Sequence, residues 1–122
     1  MAKESGKVNS SREALIEVRF PSASIECVVD TGFDGGLMLP ATFAEHLQIQ
    51  LVGELLFEMV GGAKMSAQVG LAQIEWLSET REIEVIIGEG NDALIGTELL
   101  VGTKLTVDYV AGVITILMTA GN

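Results

Sequence analysis

A chain of 122 residues, 48% of them apolar, is the size of one domain with a small core. Seventeen acidic residues against seven basic ones leave a net charge of −10 and no basic cluster, so nucleic-acid phosphates and anionic membranes are poor partners. Cys27 is the only cysteine, which excludes an intrachain disulfide; no apolar run reaches membrane-span length, and the polar opening MAKESGKVNSSRE lacks a signal-peptide core, so a reduced, cytoplasmic setting is expected.

In chain order, residues 1–12 read as a polar lead with freedom to be flexible, residues 13–118 as the domain, and residues 119–122 as a tail. ALIEVRF (Ala14 to Phe20) alternates apolar and polar residues, as a half-buried strand does, and Pro21-Ser22-Ala23-Ser24 turns the chain into a second strand, SIECVV. After Pro40, ATFAEHLQI has helical spacing, with Phe43, Ala44 and Leu47 on one face. ELLFEMV and AKMSAQVGLAQIEWL flank Gly61-Gly62, the pattern of a long hairpin with a tight tip. REIEVII is a further strand, GEGND a loop, ALIG a brief apolar run, and TELLVG one or two helical turns opened by Thr97. KLTVDY and GVITIL close the chain as a hairpin about Val110-Ala111-Gly112. The expected fold is mainly β: a closed, mainly antiparallel β barrel or sandwich with one or two short helices.

Asp30 stands out because VVDTGFDGGLMLP, Val28 to Pro40, carries a carboxylate at the end of an apolar strand. Asp-Thr-Gly alone is most simply a turn. Its context is more specific: β-branched residues before it, glycines after it, a glycine-tipped hairpin about 30 residues on, and then Leu94-Ile95-Gly96 before a short helix. In that order the segments resemble the retropepsin-like aspartic proteases, and most closely small prokaryotic relatives of the retroviral enzymes whose motif reads VDTGF-x-G-x-L-x-LP. The resemblance spans about Ala14 to Leu117. It implies an acid-protease barrel in which Asp30 is catalytic, Thr31 bonds across a dimer axis, and Gly32, with Phe33 and Asp34, forms the active-site loop against substrate. Val60, Gly61, Gly62 and Ala63 would form the flap, and Leu94, Ile95 and Gly96 the second loop motif beneath the catalytic turn.

Two positions depart from the viral pattern. Phe33 replaces a small residue and either narrows a substrate pocket or packs into the core. Viral members carry an Arg that pairs with the acid corresponding to Asp34; here that position is Thr97, so the pair is absent or replaced.

The resemblance also implies a mechanism. Hydrolysing a peptide without a metal or covalent nucleophile requires deprotonating water while protonating the amide, and two carboxyls sharing one proton do both. The chain has one Asp-Thr-Gly, and Asp92 and Asp108 lack the Thr-Gly that would shape a second. An aspartic endopeptidase built from this chain is therefore expected to be a homodimer with both copies of Asp30 at a two-fold axis, acting on a peptide or protein substrate with no cofactor or metal. The alternative keeps the fold as a non-catalytic dimerisation or peptide-binding module.

The remaining candidates read as structural. His46, beside Glu45, reads as a solvated surface residue without the convergent donors of a metal site. Cys27 reads as a small core residue. Asp30 and Asp34 only faintly resemble a calcium loop, because Ala41 stands where the distal Glu should be. Gly88-Glu89-Gly90 lies among acids that would repel a phosphate. Trp76 and Tyr109 read as core or edge packing, and Glu79, Arg81, Glu82 and Glu84 as a solvated edge.

Overall fold

The computed structural model describes residues 2–119. The alternation read in the sequence sorts side chains across a pleated sheet: Ile16 and Val18 are buried while Glu17 and Arg19 face water, and Ile114 and Ile116 repeat the pattern near the other end of the chain. These strands are β2 (Ala14–Arg19) and β10 (Val113–Met118), within the order β1 (Lys3–Val8), β2, β3 (Ser24–Val29), β4 (Leu37–Pro40), helix α1 (Ala41–His46), β5 (Gln50–Glu58), β6 (Lys64–Trp76), β7 (Glu79–Gly88), β8 (Leu94–Ile95), a 3-10 turn at Thr97–Leu99, β9 (Thr103–Asp108) and β10. The two helical segments fall where they were expected. Gly96 rather than Thr97 holds the cap position of the second, and no side chain caps it.

All ten strands join one sheet in the order β5-β6-β7-β4-β8-β3-β2-β1-β10-β9. The fold is mainly β, but the pairings differ from the closed antiparallel barrel in two ways. β2 meets β6 at a single bridge, Arg19 to Glu75, so no continuous ladder closes the sheet. Two pairings are parallel, β3 with β8 and β4 with β7. Parallel neighbours need long connections, which a reading based on consecutive hairpins does not anticipate. The core contains Trp76, Ile16, Leu37, Leu39, Ile95 and Leu99, all fully buried. Cys27 is buried with them, as expected, and burial together with the Glu26 charge pushes its thiol up to about 12. Among the described residues no helix is long and apolar enough to cross a membrane.

Residues 1–12 are not simply a lead. Lys3–Val8 form β1, which pairs along β10 from Lys3↔Leu117 to Lys7↔Val113 and briefly along β2. What anchors this polar strand is Glu4, only 5% exposed. Its carboxylate accepts from Arg19 Nη1 at 3.3 Å and Nη2 at 3.1 Å, and from the Leu77 backbone N–H at 2.9 Å. Leu77 and Ser78 turn β6 into β7 with φ of 51° and 66°, a left-handed conformation costly for residues with a Cβ. Burial of Leu77 and its bond to Glu4 offset that strain. The tail beyond residue 119 lies outside the described residues.

Two outcomes follow from this packing. Glu4→Ala should lower unfolding free energy by about 2 to 3 kcal/mol in denaturant titration, because it strands a guanidinium and a buried backbone N–H. Cys27 should resist thiol reagents at pH 8 until the chain unfolds. Since the folded thiol stays protonated while the unfolded one ionises near 9.0, stability should fall as pH rises from about 9 toward about 12.

Candidate active site

β3 runs apolar through Val28 and Val29 and ends immediately before Asp30, whose carboxylate is half-buried. The loop that follows, residues 30–36, has no ladder of its own and is held by local bonds and by a second segment. Asp30 Oδ1 accepts the Gly32 N–H at 2.9 Å, and the Phe33 N–H donates to the Asp30 carbonyl at 3.1 Å. Residues 94–98 then bind the loop from the other side. Asp30 N–H donates to the Ile95 carbonyl at 2.9 Å, Gly96 N–H to Gly36 at 2.8 Å, Thr97 N–H to Phe33 at 2.8 Å and Glu98 N–H to Gly35 at 3.2 Å. β8 lies between the strand entering the loop and the strand leaving it: Val28↔Leu94 and Val29↔Ile95 on one side, Leu37↔Ile95 and Met38↔Leu94 on the other.

Gly96 is required there for space. A Cβ would run into the Gly35 carbonyl oxygen and come within 2.6 Å of Phe33 Cδ2 and 2.7 Å of the Phe33 carbonyl oxygen. The Phe33 ring also covers Gly35, where a Cβ would lie 2.6 Å from Cζ. Phe33 therefore packs on the two glycines that let the segments approach, and its exposed edge lines the adjacent cleft. Phe33 covers these glycines at the edge of the cleft and is not among the side chains packed in the core.

That cleft encloses about 860 Å³ between the loop of residues 30–36, the β5–β6 hairpin and residues 86–91. Cross-strand pairs Leu55↔Ala67 and Phe57↔Met65 turn an apolar face toward it, opposite Met38 and Ile86. Every residue of β5 is exposed, although the strand carries Leu51, Val52, Leu55, Leu56 and Phe57. At the tip, Gly61 and Gly62 adopt φ of 97° and 88° with nothing near where a Cβ would stand, and Val60 is wholly exposed. The chain thus brings Asp30–Asp34 and Leu94–Gly96 together. The tip residues Val60, Gly61, Gly62 and Ala63 do not line the cleft, nor do Asp30, Thr31 and Gly32; its walls are the hairpin's arms, with Phe33 and Asp34.

The sequence reading missed the arm residues Leu55, Phe57, Met59 and Met65, and Met38 and Ile86 opposite them. The L-x-F-x-M spacing from Leu55 to Met59 could have found the first three, since alternate strand residues share a face. Thr97 makes only its backbone bond to the loop, and Asp34 has no ion pair among the described residues. Asp108 serves its own hairpin: Oδ1 accepts from Val110 and Ala111 N–H, bonds that hold its carboxyl below the usual range, Ala111 contributing most. His46 is exposed, Trp76 is buried and donates Nε1–H to the Leu99 carbonyl at 3.0 Å, and Tyr109 is exposed on a turn. No group of three or more His, Cys, Asp or Glu converges as metal ligands among the described residues.

No protein-family model matches the chain, and no curated protein matches it in sequence. Solved structures do. A retropepsin-like aspartic protease from Rickettsia conorii superposes with a TM-score of 0.70 at 18% identity, over 93% of this chain and 89% of that one. The EIAV protease, complexed with the inhibitor HBY-793, gives 0.64 at 16% identity over 81% and 97%. The simian foamy virus (mac) protease gives 0.55 at 15% identity over 70% and 90%. The fold is retropepsin-like, as the order of sequence motifs suggested.

The close fit at Gly96 makes a sharp comparison. Gly96→Ala should destabilise the chain by about 1 to 3 kcal/mol through overpacking, whereas Gly90→Ala, with open space around its Cβ, should stay within about 0.5 kcal/mol of wild type in thermal or chemical unfolding.

Proposed function

We propose that this chain is one half of an aspartic endopeptidase, each copy of a homodimer giving one Asp30 to a shared catalytic pair. The observation that carries this reading is the loop of residues 30–36: a carboxylate at the end of a half-buried strand, oriented by the Gly32 N–H and fixed from beneath by residues 94–98. Such rigidity suits a group that must hold a water in reacting geometry. One carboxylate cannot both take a proton from water and give one to the leaving amine. Two at hydrogen-bonding distance can, because like charges that close retain one proton between them. A two-fold axis supplies the second copy without further sequence.

In this reading Thr31, exposed beside Asp30, reaches across the axis, and Gly32 lets a substrate backbone approach. The hairpin around Gly61 and Gly62 closes over an extended peptide. Its unpacked tip and its apolar inner arms support that role, since a lid must open easily and bury apolar surface when shut.

Asp30→Asn tests the shared site. The nearly isosteric amide should fold and dimerise yet lose proteolysis. Mixing wild type with an equal amount of Asp30→Asn and allowing subunit exchange should reduce activity to about half, since random pairing leaves one quarter of twice as many dimers fully wild type. Undiminished activity after demonstrated exchange would show that one chain suffices. Wild type that cleaves no peptide at any pH from about 3 to 8, the span over which carboxyls titrate, leaves the fold as a binding or dimerisation module.

A further inference from the structure

The cleft beside the active-site loop does not end at the hairpin arms. A second cavity of about 210 Å³ adjoins it, with Leu55 and Ile86 lining both. The charged side chains on the larger one are Asp34 and Glu89, and those on the smaller one are Glu54, Glu84 and Glu98. No Lys, Arg or His lines either cavity. All five carboxylates are exposed, and among the described residues none is in an ion pair. The groove thus combines apolar walls, Phe57 and Met65 on the hairpin and Met38 and Ile86 opposite, with rims of uncompensated negative charge, in a chain whose net charge is already −10.

We infer that the groove takes a basic, apolar peptide: an extended segment that seats an apolar side chain between these walls and carries Lys or Arg at flanking positions. This rests on the peptidase reading and names its substrate class. Low-dielectric walls lined with one sign of charge raise the local concentration of oppositely charged ligands, and the aliphatic stems of Lys and Arg can lie along the apolar walls while their heads meet the carboxylates. Other occupants fit the charge less well. A second copy of this chain brings another ten negative charges, a nucleic acid is repelled, and a divalent cation finds no cluster of three ligands among the described residues.

The test uses the full-length chain and peptides identical except for Lys, Gln or Glu on either side of one apolar residue. At low salt kcat/KM for the Lys peptide should exceed that for the Glu peptide roughly tenfold, a ratio that several exposed ion pairs together supply. The ratio should shrink at about 0.5 M salt, and it should fall to roughly threefold in the Glu54→Gln, Glu84→Gln, Glu98→Gln triple variant. If that variant does not fold, Glu89→Gln alone should still narrow the ratio. Equal use of the three peptides, preference for Glu, or a ratio unmoved by neutralising these carboxylates overturns the inference while leaving the peptidase reading intact. If no peptide is cut, fluorescence anisotropy with labelled versions of the same peptides separates the two. Preferential binding of the Lys peptide sustains the inference and removes the peptidase; absence of preference removes both.

Discussion

The bonds between residues 94–98 and residues 30–36 are the constraint on which the rest of the molecule turns. A loop with three glycines, Gly32, Gly35 and Gly36, has little reason to hold one shape in water, since each adds backbone freedom that folding must remove. Its order comes from outside, through the carbonyls of Phe33, Gly35 and Gly36, which accept from Thr97, Glu98 and Gly96. That second segment is itself fixed by burial of Ile95 and Leu99, and the Trp76 indole holds the Leu99 carbonyl from the core. Rigidity at Asp30 is therefore inherited from side chains more than 40 positions away in sequence. The parallel pairings of β8 with β3 and of β7 with β4 are the geometry that lets a short apolar strand lie under the loop.

The hairpin is the opposite case. β5 pairs only with β6, and the hairpin exposes a row of large apolar side chains and ends in two left-handed glycines. Apolar area left in water is costly at about 25 cal/mol per Å², and a face of this extent on a small domain marks a surface that meets something else. Cross-strand Glu58↔Lys64 near the tip opposes unlike charges, while Leu55, Phe57 and Met65 turn inward to the cleft. In the peptidase reading proposed above, this apolar inner face is the surface that would close on a peptide.

Much of this was legible in the sequence because the informative residues act locally. Val28-Val29-Asp30-Thr31-Gly32 carries the local preferences of a strand running into a turn, Gly61-Gly62 permits a left-handed tip, and alternation in residues 14–20 assigns faces without knowledge of partners. What was hidden depended on distant partners. β1 is polar, and its burial comes from Glu4 meeting Arg19 and Leu77, a contact spanning 73 positions. The Leu77-Ser78 turn has no Gly, Asn or Asp for its two left-handed positions, because burial of Leu77 and that carboxylate hold it. The cleft walls were hidden for the same reason: alternation shows that Leu55 and Phe57 share a face, but not that Met38 and Ile86 stand opposite.

Thr97 connects the site's internal order to its outward charge. In the viral pattern an Arg at this position neutralises the acid corresponding to Asp34 and helps to hold the loop. Here the Thr97 backbone still binds Phe33, so the loop keeps its brace without that cation. Removing the Arg leaves Asp34 unpaired at the cleft, and no other basic side chain lines it. An exposed carboxylate tolerates this because water solvates it, but covering the groove with a ligand strips that water away, and an apolar or acidic occupant would give nothing in return. A ligand cation would supply the missing charge at that moment. In the reading inferred above, a position that leaves the loop braced by backbone bonds also leaves a carboxylate free to favour a cationic ligand.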